Sequence, residues 1–175
     1  MFDRVPEGTR NEFGATRLLA ANLPGARLRD LKIENSEDLA APLVLRIHAE
    51  VPQIARRVGN RLVMKALFPV SIAQVASLAS RQTPLLLASS SHVEVRFQIL
   101  APEGVQLPAT IPGGELRDGD RSVTVSDSVE GHSILLRRIV DIPAGRVQPG
   151  AEYARFVAFT QQADALLEKE IALGR

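Results

Sequence analysis

The chain has 175 residues, of which 45% are hydrophobic, and this size and composition suit one folded domain with its own core. Its 21 Lys and Arg nearly balance its 20 Asp and Glu, so we expect no broad basic surface for nucleic acid or anionic lipid. Because the sequence contains no cysteine, disulfides, thiolate zinc sites and cysteine nucleophiles are excluded.

Residues 1–25 are predicted to form a helical lead. Apolar residues recur on one side of a helix over residues 9–22, and the helix should stop at Pro24 and Gly25. The first residues lack the unbroken apolar run of a signal peptide, and no later stretch is long and apolar enough for a transmembrane helix.

Residues 26–145 show the alternation of apolar and polar residues that indicates β-strands. We expect a bulge at Asp30, a loop over residues 56–60 and a tight hairpin turn at Gly131. Residues 71–81 fit one or two helical turns, whereas residues 105–119, with three glycines and two prolines, should be mostly loop. The predicted strands cover residues 26–34, 43–51, 62–68, 92–100, 121–130 and 132–142, with a short apolar run at 83–88.

Residues 146–175 are predicted to contain a long amphipathic helix that begins at Gly150 and continues to residue 173. Its apolar face should cover a sheet, and a membrane-surface or partner-binding helix is the alternative. The residues that share this face are Tyr153, Phe156, Phe159, Ala163, Leu166, Leu167 and Ile171.

Six or seven short strands without alternating helices predict a single, mainly β domain. We expect an antiparallel β-sandwich with an N-terminal helix and a long C-terminal amphipathic helix packed on a sheet. In this division residues 1–25 are the lead, 26–145 the sandwich and 146–175 the helix.

The residue types that usually carry chemistry are sparse and badly spaced. His48, His92 and His132 have no metal-ligand spacing, although a zinc site built across adjacent strands is an alternative for two of them. Residues 89–91 are serines directly before His92, but they lack the strand-turn-helix frame of a catalytic serine. The glycines of residues 111–114 precede neither a lysine nor a helix start, so a phosphate-binding loop is not expected.

Two local groups of arginine residues are predicted to lie in solvated loops. The alternative is that they contact an acidic partner domain. A carboxylate pair at Glu168 and Glu170 is not expected to act together, because residues two apart on a helix point to different sides. We therefore predict no catalytic, cofactor-binding or metal-binding residues and no cofactor. The two arginine groups are Arg56, Arg57 and Arg61, and Arg137, Arg138 and Arg146.

Five short motifs occur in an order that resembles a known family. The order is similar to the β-rich region of unknown function that follows the catalytic core in bacterial transglutaminase-like proteins, and the similarity would cover residues 15–173. Such proteins hold a papain-like Cys, His and Asp in the preceding core, so none of those catalytic residues has a counterpart in this cysteine-free chain. The motifs are Pro42-Leu43-Val44-Leu45, Val51-Pro52, Arg81-Gln82-Thr83-Pro84-Leu85, Ala101-Pro102-Glu103-Gly104, and Tyr153-Ala154-Arg155-Phe156 with Asp164.

The resemblance implies a non-catalytic accessory domain that packs against an upstream transglutaminase-like core, in the same or another protein, or shapes access to its cleft. We expect the chain to be part of a longer protein; many family members are exported, which would place it in the periplasm or cell envelope. If Met1 is the native start, the cytoplasm is expected instead.

Two other functions compete with the accessory role. The first is an independent β-sandwich binding module for a glycan, peptide or cell-envelope component, although glycan readers usually expose more aromatic residues than this chain offers. The second is a hydrolase that uses Ser and His, with His92 as its leading candidate. The sequence does not indicate an oligomeric state or a ligand for residues 105–119.

Overall fold

The computed structural model describes residues 23, 25–52, 54–59, 61–65, 71–101 and 103–173. The chain divides into two compact units, Met1–Ile54 and Ala55–Arg175. The predicted N-terminal helix lies outside the described residues, and the single domain over residues 1–175 stays a prediction. Among the described residues, no helix combines the length and the apolar character that a membrane crossing requires.

The described part of the first unit is an antiparallel ribbon of two strands, β1 (Arg27–Glu34) and β2 (Val44–Glu50). The register shifts between Leu28 and Asp30, which confirms the predicted bulge. Beyond the bulge the side chains alternate between two faces, as in any strand. One face carries Leu31, Ile33, Leu45 and Ile47, and the other carries Lys32, Glu34, Arg46 and His48.

The second unit is built from nine strands, one α-helix and one 3-10 helix among the described residues. The helices are the 3-10 helix (Ile72–Ala76) and α1 (Ala151–Leu167). The strands are β3 (Ala55–Val58), β4 (Arg61–Lys65), β5 (Leu85–Leu87), β6 (Ser91–Leu100), β7 (Gly114–Asp118), β8 (Arg121–Glu130), β9 (Ser133–Ile142), β10 (Gly145–Val147) and β11 (Glu170–Leu173).

The largest sheet has the strand order β6-β9-β8-β7, and every neighbouring pair is antiparallel. Strands β8 and β9 form the predicted hairpin, with Gly131 at a φ of 59° in its turn. The prediction of mostly loop for residues 105–119 is confirmed before Gly114, whereas Gly114–Asp118 form β7. The glycines that suggested a loop allow close packing instead: a Cβ on Gly113 would lie 2.5 Å from the carbonyl oxygen of Val125, and one on Gly114 would lie 2.7 Å from Leu166 Cδ1.

Helix α1 begins where predicted, with Gly150 at its N-cap and Glu152 in its first turn. It packs against the inner side of the large sheet, and Asp118 joins the two by accepting from Arg121 at 2.9 Å and from Arg155 at 3.0 Å. The Arg121 guanidinium also lies 4.7 Å from the centre of the Phe156 ring. The predicted role of this helix as cover for a sheet is therefore confirmed.

One apolar core joins the helix to the large sheet, the 3-10 helix and the β5–β10 pair. Its most deeply buried members include Phe156 and Ala163, both 0% exposed, from the predicted apolar face. The core residues are Ile72, Ala76, Leu87, Val123, Val125, Val140, Ile142, Val147, Tyr153, Phe156, Phe159, Ala163 and Leu167.

The helix ends at Leu167, and the predicted continuation to residue 173 is wrong. The last four residues of that range form β11, which pairs with β4. Ile171 and Leu173 are buried while Glu170 and Ala172 are exposed, a period of two that a strand satisfies and a helix does not. The C-terminal segment is therefore a helix followed by a strand.

The third sheet of the second unit has the order β11-β4-β3. The predicted loop at residues 56–60 is wrong for Arg56, Arg57 and Val58, which belong to β3. Its Gly59 has a φ of 59°, which agrees with the turn expected there. The prediction of helical turns at residues 71–81 is confirmed by the 3-10 helix.

The protein is thus mainly β, with antiparallel sheets and a C-terminal helix. In the second unit, α1 is part of the layer that covers the large sheet. A face-to-face β-sandwich stays a prediction.

Candidate functional site

The candidate site is the side of the large sheet that faces away from α1, called here the outer face. Strand pairing aligns its residues in rows that run from β6 across β9 to β8. It carries charged, hydroxyl and a few half-buried apolar side chains. Its residues are His92, Glu94, Arg96 and Gln98 on β6, Leu135, Arg137, Ile139 and Asp141 on β9, and Ser122, Thr124, Ser126 and Ser128 on β8.

The row at one end of the outer face contains the residue types of a catalytic triad in the wrong order. His92 Nδ1 contacts Asp141 Oδ1, and Ser122 lies on the far side of Asp141, on the next strand. A serine nucleophile needs the histidine between itself and the carboxylate. Here the carboxylate is in the middle, so Ser122 and His92 lie two strands apart. Neighbouring strands are already about 4.8 Å from each other, so this row does not form the contact between a serine nucleophile and a histidine base.

The serines before His92 do not supply that contact either. Ser90 Oγ accepts a hydrogen bond from the Ala144 backbone N–H at 2.9 Å. Ser91 is the neighbour of His92 on β6, so its side chain points to the other face of the sheet. Residues 89–91 thus match the predicted connection into a strand.

The cleft at this end of the outer face has a volume of about 370 Å³ and is lined by Ser90, Ser91, His92, Asp120, Ser122, Asp141, Ile142 and Pro143.

The centre of the outer face has a local excess of positive charge. Glu94 Oε1 accepts from Arg137 Nε and from Arg96 Nε, each at 2.7 Å. These two guanidinium groups, Arg137 first and then Arg96, lower the pKa of Glu94 to about 2. Both arginine side chains stay largely accessible, with exposures of 47% for Arg137 and 72% for Arg96. Two cations therefore share one carboxylate on an open surface.

A second cleft, of about 480 Å³, lies at the start of α1 and brings together two of the motifs on which the family resemblance rests. The Arg81 guanidinium lies 5.9 Å from the centre of the Tyr153 ring, and Tyr153 Oη donates to the Leu78 carbonyl at 2.8 Å. Asp164, from the same set, accepts from Ser71 Oγ at 2.6 Å and from two backbone N–H groups at the start of the 3-10 helix. These residues hold the segment after β4 against α1.

One charged pair was not predicted from the sequence. Arg138 is 0% exposed, and its guanidinium makes a two-pronged contact with Asp127, in which Nη2 lies 2.9 Å from Oδ2. Arg138 Nε is buried and has no hydrogen-bond partner. The sequence contains a signal for this pair, because each residue is charged at a strand position where alternation leads one to expect an inward-facing apolar side chain. Arg138 lies between Leu136 and Val140, and Asp127 follows Val125.

The structure separates two members of one predicted arginine group and pairs one member of the other group with a carboxylate. Arg137 is on the outer face and Arg138 in the interior, because successive residues of a strand point in opposite directions. In the other group, Arg56 donates to both carboxylate oxygens of Glu170, at 2.9 and 3.1 Å. Arg146 lies opposite Leu86 in the β5–β10 pair.

The three histidines lie in different structural elements. His48 lies opposite Asp30 in the ribbon of the first unit. In the second unit, His92 lies near the start of β6, whereas His132 lies beside Ala101 just past the strand's other end. Within the part of the chain that the structure describes, no group of three or more His, Cys, Asp or Glu could hold a metal ion.

Comparison with known proteins reveals a likeness of fold. The chain is similar to part of a solved structure described as "a putative protease" from Parabacteroides distasonis ATCC 8503, with 16% sequence identity and a TM-score of 0.54. The likeness covers 67% of this chain and 24% of the other. No protein-family model matches the sequence, and no curated protein matches it. The shared fold is all that this likeness shows.

Proposed function

We propose that the chain is a non-catalytic accessory domain of a larger, transglutaminase-like bacterial protein, in which it packs against a catalytic core or shapes access to its cleft. The observation that carries the proposal is the share of the other chain that the common fold covers. This fold makes up 24% of a longer chain whose description is that of a protease. A domain of this kind contributes surface and position rather than reacting groups. The predicted β-sandwich and a location in the cell envelope belong to the same proposal.

The segment from the 3-10 helix to β5 supports an interface with another domain. It exposes three large apolar side chains, Val75, Leu78 and Leu86, at 41%, 52% and 62%. Leu78 adjoins the cleft at the start of α1, where Arg81 and Tyr153 meet. Exposed apolar side chains beside a polar-rimmed cleft are typical of surfaces that another protein covers.

The test uses the full chain and the catalytic core encoded upstream in the same reading frame. We expect the two proteins to bind in a calorimetric titration and the core to unfold at a higher temperature in the mixture. Leu78→Asp and Leu86→Asp should weaken this binding. Leu39→Asp, in the first unit, is the matched control because Leu39 is fully exposed at 102%. If no core is encoded upstream, or if the core neither binds the chain nor changes its stability or activity, the proposal is wrong.

A binding module for a polar ligand is the second candidate. The outer face favours it, since the hydroxyl groups of β8 lie on the strand next to Arg137, and the accessible guanidinium group of Arg96 lies on the strand beyond Arg137. An acidic peptide or a glycan with carboxylate groups has the chemistry to bind there. Titration with such ligands and with Arg137→Gln decides this case, because binding that the variant leaves unchanged would contradict a site on the outer face.

A further inference from the structure

The free edge of β6 carries a self-complementary pattern. β6 pairs with β9 on one side, and no strand of the described residues pairs with its other side. Ala101 N–H donates to the His132 carbonyl at 3.0 Å, and hydrogen-bonded pairs recur at every second residue of an antiparallel ladder. The odd-numbered residues of β6 therefore bond to β9. The even-numbered residues, from His92 to Leu100, direct their backbone N–H and C=O groups to the free edge.

Charge on this edge is arranged symmetrically about Val95. Glu94 precedes Val95 and Arg96 follows it, and both side chains project from the outer face. An edge strand usually avoids pairing by carrying charges that repel a second strand. Here the two charges have opposite sign and lie at equal distances from one residue, so an antiparallel copy of the same strand would meet attraction instead.

We propose that β6 pairs with β6 of a second copy of this chain, antiparallel and about a two-fold axis at Val95, so that the two large sheets become one continuous sheet. In this register Glu94 of each copy lies directly opposite Arg96 of the other. Val95 lies opposite its own equivalent, and Val93 lies opposite Phe97 on the inner side. A two-fold contact of this type uses the same patch on both subunits and closes without further growth.

The neighbouring registers are unfavourable for an electrostatic reason. Because the free backbone groups belong to even-numbered residues, only registers that pair even with even residues complete the hydrogen bonds. Moving the axis to Glu94 places two Glu94 side chains opposite each other, and moving it to Arg96 does the same with two arginines. Like charges in directly opposite positions destabilise a strand pair. The register centred on Val95 pairs nine of the ten residues of β6, so it is preferred over the register centred on Arg96 for its charges alone. This contact goes beyond the accessory role and does not depend on it.

The first test is a disulfide across the axis. In the proposed register the two Val95 residues form a pair without backbone hydrogen bonds, with Cα atoms about 4.5 Å apart, which is within the range that a disulfide spans. Since the natural chain has no cysteine, Val95→Cys introduces one thiol per copy. Mild oxidation should convert this variant to a covalent dimer. Val93→Cys is the matched control and should stay uncrosslinked, because its equivalent lies several residues away. Equal crosslinking of both variants, or of neither, would overturn the proposal.

The second test measures association by sedimentation velocity over a concentration series. The wild-type mass should rise from the 19.0 kDa of one chain towards twice that value. Arg96→Glu and Glu94→Arg each place like charges opposite each other, so each should raise the dissociation constant by about tenfold or more. An equimolar mixture of the two should associate again as a heterodimer, since every opposed pair then has opposite charges.

Arg117→Glu is the control for the charge change, because Arg117 lies on β7, at the other edge of the same sheet. It should leave the dissociation constant within about twofold of the wild-type value. A wild-type chain that stays monomeric at its highest soluble concentration overturns the proposal. So does a mixture that fails to associate, or an equal effect of Arg96→Glu and Arg117→Glu.

Discussion

The ion pair of Arg138 and Asp127 makes stability depend on two charges inside an apolar layer. Asp127→Ala leaves the 0% exposed Arg138 without its counter-ion, so we expect a loss of about 3–5 kcal/mol in the free energy of unfolding. Glu115→Ala removes an exposed partner of Arg117 and should cost less than about 0.5 kcal/mol. Urea denaturation compares the two. Equal losses would contradict a buried, uncompensated charge. The double variant Arg138→Met with Asp127→Leu should recover most of the loss.

Glu94 should make the stability of the fold depend on pH, and the direction of this dependence follows from its lowered pKa. Its pKa is lowered from 4.5 to about 2, chiefly by Arg137. Since the folded-state pKa lies below the unfolded one, the carboxylate stabilises the fold above pH 4.5, and this stabilisation disappears as the pH falls towards 2. The side chain is partly exposed, so the contribution should not exceed about 1 kcal/mol. Thermal unfolding of wild type and Glu94→Gln should differ at pH 6 and converge near pH 2. A constant difference would show that titration of Glu94 is not the cause.

At the scale of elements, helix α1 holds the core of the second unit together. Phe156 is 0% exposed and packs among the sheet residues, so Phe156→Ala should cost about 3–5 kcal/mol through lost burial and a cavity. Gln162 lies on the exposed side of the same helix, and Gln162→Ala should change stability by less than about 0.5 kcal/mol. Chemical denaturation of both variants is the measurement. Similar values would contradict the contribution expected from the burial of Phe156 in this core.

How well each element could be predicted depended on its length. Strands β6, β8 and β9 alternate over ten residues each, and the sequence locates all three within one residue at either end. β5, β10 and β11 have only three or four residues, too few for a period of two to stand apart from the helical pattern beside it. The helical pattern therefore extends over Ile171 in the sequence, although Ile171 belongs to β11.

To predict the candidate site from the sequence, one must know which strands pair with each other as well as which face of a strand each side chain occupies. The outward direction of His92, Glu94 and Arg96 follows from alternation alone. Their partners on β9 do not, because the register of β6 against β9 joins strands that are distant in the sequence. Thus the sequence indicated two arginine clusters, whereas the sheet separates Arg137 from Arg138 and brings Arg137 to Glu94.

At the scale of the whole molecule, the described apolar core belongs to the second unit. Every residue of that core lies between Ile72 and Leu167, inside the unit Ala55–Arg175. We therefore expect a protein of residues 55–175 to unfold cooperatively in urea, with a circular dichroism spectrum that combines strands and helix. A broad, gradual transition would instead support a single domain over residues 1–175, in which the first unit is required for folding.

The pairing of β11 with β4 also affects how the chain is made. Lys65 lies opposite Glu170 in this pair, and at roughly 5–20 residues per second a ribosome needs on the order of ten seconds to synthesise the chain between them. During that interval β4 has β3 beside it but lacks its other neighbour, so a strand edge that is covered in the finished protein is open to chaperones and to other nascent chains. The three-stranded sheet can therefore be completed only after Glu170–Leu173 have left the ribosomal tunnel.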